Sequence, residues 1–119
     1  MNNPDLRQAL TQYTGSESWY RHNLNRNMLY TDGVRFFAEN AGGGAYWFLD
    51  IIATEVFPLL RNEPFISIEM TVEDDMAGIV AGDGNGNVLW ARHIEFTDCP
   101  EGEWRFYLTD NVLLLPTEY

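Results

Sequence analysis

The feature that most constrains this chain is a change of hydrophobic period at Pro64. Beyond it, Ile66, Ile68, Met70 and Val72 alternate with Ser67, Glu69, Thr71 and Glu73, the pattern of a strand with one buried and one wet face. Before it, apolar residues recur at helical spacing. The chain has 119 residues, the size of one domain, with a helical part over about 4–62 and a sheet part over about 65–116. Helices followed by hairpin-linked strands read as α+β: N-terminal helices packed on a four- to five-stranded antiparallel meander sheet.

Asn3 before Pro4 and Asp5 marks a helix start, and the spacing predicts a helix over 4–13 that Gly15 stops. The stretch from Ser16 to Tyr30 is mixed: Trp19 and Tyr20 suit a short strand, and three Asn suggest loop. Thr31 or Asp32 caps a second helix carrying Val34, Phe37, Ala38 and Ala41, which Gly42, Gly43 and Gly44 end. A third helix over 45–60 is apolar on most sides and is expected to be the central buried one.

The strand after Pro64 is followed by one over 77–81, and Asp83-Gly84-Asn85-Gly86-Asn87 makes a hairpin turn. A third strand over 88–96 is expected to point Val88, Trp90, Ile94 and Phe96 to one face. A fourth over 104–109 points Trp104, Phe106 and Leu108 together, and 112–115 forms a last short strand closed by Pro116.

Charge divides at the same place. Residues 1–62 hold six acids against five arginines, while residues 63–119 hold twelve acids against Arg92 and Arg105 alone, so most of the net charge of −11 lies in the sheet half. There is no lysine and no basic stripe, which argues against direct nucleic-acid binding. The lone Cys99 fits a reducing compartment. The first residues lack the basic-then-apolar pattern of a signal peptide, and Asp50 and Glu55 interrupt the longest apolar stretch. A cytoplasmic location without membrane contact is expected.

In a meander, alternate turns lie at one end of the sheet. The turn at Glu73, Asp74 and Asp75 is therefore expected beside the one that holds Asp98, Glu101 and Glu103, with Glu69 and Glu95 extending the field along the wet face. Turn acids often only keep a protein soluble. Gathered at one end, they also make a negative patch that docks a basic protein surface, imitates nucleic-acid phosphates, or holds a divalent cation.

Other motifs are weaker. The Asp83 loop begins like a calcium loop but has Val88 where the sharp-turn glycine belongs and Ile94 at its twelfth position. A Cys99–His93 nucleophile pair, oriented by Asp98 or Glu95, would sit in acidic surroundings that disfavour a thiolate. Asp50, inside YWFLDIIA, needs a partner, with Arg21, Arg35 or a tyrosine hydroxyl the expected one. The triple glycine has no Lys-Ser/Thr after it and is not a phosphate loop.

YTGSESWYRH, LYTDGVRFFAENAG, AYWFLDIIA, DGNGNV, IEFTD and the closing LLLPTEY together resemble a family of small bacterial proteins carried mainly on plasmids, phages and related mobile elements. The resemblance spans residues 10–119; Gly43 and Gly44 before AYW depart from its pattern. The family has no established activity, so what it implies is a mobile-element setting. By analogy in type, small acidic proteins of such elements include anti-CRISPR and anti-restriction inhibitors.

The leading expectation is a non-enzymatic acidic binding protein that occupies a basic surface of a nucleic-acid-binding defence protein, with no cofactor and no metal. Two alternatives stand beside it. One is a small-molecule-binding or enzymatic domain with a pocket at Asp50, Tyr46, Trp47 and Tyr30; the other is a self-associating scaffold. A dimer is compatible with the sequence.

Overall fold

The computed structural model describes residues 1–15 and 18–119; Ser16 and Glu17, inside the mixed-signal stretch, lie outside the described residues. The first helix, α1 (Asn3–Leu10), is capped by Asn2, whose side chain accepts from the Asp5 N–H at 3.1 Å. The cap is thus one residue earlier than Asn3, which frees the Asn3 amide to donate to the Glu101 carbonyl. The helix ends at Leu10, well before Gly15, where the Thr11 hydroxyl turns back onto the Gln8 carbonyl at 2.6 Å.

Strands β1 (Trp19–Arg21) and β2 (Leu29–Thr31) pair antiparallel. Thr31 then caps α2 (Asp32–Asn40), its hydroxyl accepting from Val34 N–H at 3.3 Å. After α2 the chain turns at Gly42, with φ of 59°. A Cβ there would stand 2.4 Å from the Asp98 carbonyl oxygen, so both the backbone conformation and the close approach call for glycine.

The expected third helix changes pitch along its length. It is α-helical over α3 (Tyr46–Ile51), widens to a π-turn over Ile52–Val56 and tightens to 3₁₀ over Phe57–Arg61. Pro58 accounts for the change: it has no N–H to give Thr54, and its ring crowds that carbonyl. Phe48, Leu49, Ile52, Ala53 and Val56 are buried along it, as expected of the central helix.

The remaining strands are β3 (Phe65–Glu73), β4 (Met76–Gly82), β5 (Val88–Ile94), β6 (Gly102–Thr109) and β7 (Val112–Leu114). The α+β class holds, with seven strands among the described residues rather than four or five, in the order β1-β2-β7-β6-β3-β4-β5. The sheet is antiparallel except where β2 meets β7. The meander is broken: β6 leaves β5 and pairs with β3, so β3 to β6 form a Greek key.

Burial explains the rearrangement. β6 presents Trp104, Phe106 and Leu108 to the helices, all at most 2% exposed, and takes a central place. The inward row of β5 includes Arg92 between Trp90 and Ile94, which suits an edge. Trp90 and Ile94 are half-buried, whereas Val88 and Phe96, expected to share their face, are 65% and 75% exposed. Helices cover one face only. On it Phe37 meets Phe106 at 5.0 Å and Phe48 meets Phe106 at 4.9 Å between ring centroids, and Ile66, Ile68, Met70 and Ile79 pack around them. Among the described residues, no helix is long and apolar enough to cross a membrane.

Glu118 closes the fold. Its carboxylate accepts from the Thr31 hydroxyl at 2.6 Å, the Leu115 N–H at 2.9 Å and the Gly33 N–H at 3.2 Å. It thus ties the last 3₁₀ turn to the start of α2. Glu118→Ala removes three hydrogen bonds to one charged group and is expected to lower unfolding free energy by about 2–3 kcal/mol in urea titrations. Glu118→Gln, which keeps an acceptor, loses about half as much.

Candidate functional site: the acidic end of the sheet

β3 and β6 pair from Phe65↔Thr109 to Val72↔Gly102. That register sets the β3–β4 turn beside the entry to β6. The Asp74 N–H donates to Glu101 Oε1 at 3.4 Å, and the Thr97 N–H donates to the Asp75 carbonyl at 2.8 Å. The two acidic segments therefore converge as expected, through direct pairing of β3 with β6 rather than through a meander.

Asp74 and Asp75 hold φ of 54° and 60°, so the turn between β3 and β4 is a two-residue hairpin with both central residues left-handed. Such turns match the strand twist and favour Asn-Gly or Asp-Gly. Aspartate tolerates this region better than most residues, but glycine would be relaxed at the second position.

The eight expected acids fall into three groups. Glu73, Asp74, Asp75, Glu95 and Glu101 are exposed and make no ion pair among the described residues. Glu69 and Glu103 share Arg105 on the open face, at 3.2 and 3.3 Å. Asp98 accepts from the Gly43 N–H at 2.7 Å and fastens the β5–β6 crossing to the α2–α3 loop. Arg105 faces Glu69 only because β6 lies against β3, so strand parity alone could not reveal its shielding role.

Asp50 finds a partner other than those expected. Its Oδ1 lies 2.8 Å from Nε2 of the buried His22. His22 Nδ1 accepts from the Leu24 and Asn25 N–H groups at 3.1 and 3.0 Å, which fixes the tautomer: Nε2 carries the proton and donates it to Asp50. Both ring nitrogens are thus committed to holding the 22–25 turn, and no third group is positioned for proton transfer through the imidazole. Burial raises the hydroxyl pKa values of Tyr30 and Tyr46 above the ordinary tyrosine range.

The other weak motifs are also placed. Cys99 is buried in the core and burial pushes its thiol up, while His93 lies exposed on the open face across from Gly78. The Asp83 carboxylate accepts from the Asn87 side chain at 2.8 Å and the Asn85 N–H at 2.8 Å, and those bonds hold it below the usual carboxylate range. It closes the hairpin from within. Among the described residues, no three His, Cys, Asp or Glu side chains form a metal-ligand group.

Sequence reasoning also missed a cavity. A cavity of about 570 Å³ opens between α1, β6 and the C-terminal turn, walled by Leu10, Trp104, Phe106, Leu115 and Pro116. Arg7 stands at it with its guanidinium 4.3 Å over the Trp104 ring. No local pattern announces a contact between residues so far apart in sequence.

One helical layer on a mixed seven-stranded sheet, with an anionic end and an open face, defines a small α+β domain. The chain matches the model of a family of unknown function (DUF6876) over residues 4–119, and it belongs to that family. No curated protein and no solved structure matches it.

The His22 geometry makes a stability prediction. His22→Ala strands two main-chain donors and empties buried space, and it is expected to cost about 2–4 kcal/mol. Asp50→Ala leaves one donor, Nε2 of His22, unpaired where the half-exposed site of the lost carboxylate lets water replace it, and should cost about 1 kcal/mol, with Asp50→Asn close to wild type. Urea unfolding of the three variants checks the ranking.

Proposed function

We propose that this chain is a non-enzymatic binding protein that docks the acidic end of its sheet on a basic surface of another protein. The observation that carries the reading is the Asp74–Glu101 contact, which joins two turns into one anionic projection. Glu73, Asp74, Asp75, Glu95 and Glu101 form its charge, and Arg105 lowers the contribution of Glu69 and Glu103. Clustered charge of one sign speeds association with an oppositely charged partner and gives it a strong salt dependence.

The turn itself supports the reading. It retains two carboxylates where Asn-Gly would be less strained, a pattern more readily explained by a use for the charge than by folding. In the mobile-element setting that the sequence resembles, the fitting target is a cytoplasmic nucleic-acid-handling defence protein. Its basic groove would take carboxylates in place of phosphates, as an anti-CRISPR or anti-restriction inhibitor does.

Replacing Asp74 and Asp75 by Asn and Gly separates folding from docking. The double variant is expected to be more stable by about 1 kcal/mol in thermal or urea unfolding. In a pull-down from host lysate it should recover less of the partner than the wild type. Reversing Glu73, Asp74, Asp75 and Glu101 to Lys should abolish capture. Affinity for the captured protein should fall steeply between about 50 and 300 mM salt; binding indifferent to ionic strength would refute the mechanism.

A further inference from the structure

The cavity beside β6 is bounded by a strand edge that the sheet leaves open. β6 turns the main-chain groups of residues 103, 105, 107 and 109 away from β3. Two observations fix this direction. The Glu103 carbonyl accepts from Arg7 Nη2 at 2.7 Å, and Thr109 and Val112 flank a tight two-residue turn, Asp110-Asn111, whose closing pair exchanges both hydrogen bonds. β7 covers this edge only as far as Tyr107↔Leu114. The next pair in register would set Arg105 against Pro116. Proline has no N–H, and there the chain leaves the sheet for the 3₁₀ turn Pro116–Glu118. Among the described residues, nothing in the main chain meets the Arg105 N–H or C=O.

At the far end of that edge stands Arg7. Its Nε donates to Asn3 Oδ1 at 3.4 Å and its Nη2 to the Glu103 carbonyl, both neutral acceptors. Among the described residues it has no carboxylate partner, although the chain carries a net charge of −11. Arg35, Arg92 and Arg105 have one; Arg21, Arg26 and Arg61, like Arg7, have none among the described residues, and Arg7 is the one of these four that lines the cavity. Stacking on Trp104 holds the Arg7 guanidinium in place with N–H groups left over.

We propose that this cavity binds the C-terminal end of an extended peptide from a partner protein. The peptide runs antiparallel to β6, in the path that β7 abandons at Pro116. Its main chain supplies the side-by-side donor and acceptor that Arg105 lacks, as in strand addition to an open edge. Its terminal carboxylate meets Arg7, the charge complement of an otherwise uncompensated guanidinium. An apolar side chain near its end fills the space between Leu10, Phe106 and Leu115. This site is on the opposite edge of β6 from the acidic turn and stands independently of the docking reading.

The test uses the full chain, isotope-labelled, and acetylated hexapeptides ending in Ala, Val, Leu or Phe, each made with a free C-terminal carboxylate and with a C-terminal amide. A free-acid peptide with a large apolar end is expected to shift the Arg105 amide and Trp104 indole resonances and to slow exchange of the Arg105 amide. Capping the carboxylate should weaken binding by about tenfold or more. Arg7→Gln, with its fold checked by circular dichroism, should bind both forms equally weakly. Three results would overturn the proposal: no peptide shifts these resonances; acid and amide forms bind the wild type alike; or decanoate matches the peptides without protecting the Arg105 amide, which makes the cavity a site for small apolar acids. Shifts that follow protein concentration without peptide would assign the edge to a second copy and overturn it equally.

Discussion

The pairing of β3 with β6 is the constraint from which the rest of the structure follows. It places Trp104, Phe106 and Leu108 beside Ile66, Ile68 and Met70, so that the two strands present one continuous apolar floor to the helices. Phe37 and Phe48 close on that floor through edge and tilted ring contacts with Phe106, within the range in which aromatic pairs add to simple burial. Had β6 followed β5 in a meander, β4 and β5 would have stood between β3 and β6 and split this floor.

The same pairing positions both surfaces for which binding is proposed. One edge of β6 brings Glu101 and Glu103 against the end of β3. The other, beyond the reach of three-residue β7, is left open beside α1. Glu103 sits between them: its carboxylate takes Arg105 on the open face while its carbonyl takes Arg7 from the helix side. Arginines thus hold the strand on both sides, while the acids of the neighbouring turn at Asp74 and Asp75 stay unpaired.

Legibility in the sequence followed the range of each interaction. The β3 alternation, the Thr31 cap and the Asp83 turn are decided by neighbours a few residues apart, and each is found where local chemistry puts it. The acidic end was legible because alternate connections of antiparallel strands fall at the same end of the sheet in either topology. The Greek key was not, since choosing β3 over β5 as the partner of β6 depends on comparing the buried faces of strands far apart in sequence. Arg92 in the inward row of β5 was the available sign of an edge strand. The Asp50 partner was missed for a related reason: His22 lies in a stretch without periodicity, and its role is set by the turn it accepts from as much as by the acid it meets.

The distribution of the seven arginines gives the charge asymmetry a structural meaning. Ion pairs between exposed groups stabilise little, so Arg35–Glu39 and Arg92–Glu55 are not what holds the fold. What they do is neutralise acids on the helical side and at the β5 edge, and Arg105 does the same for the middle of the open face. Glu73, Asp74, Asp75, Glu95 and Glu101 are left without such neighbours at one end. A solubilising charge could be spread over the whole surface with equal effect on net charge. Its local density at a strained two-residue turn, buttressed by Glu101, is what the proposed electrostatic docking draws on.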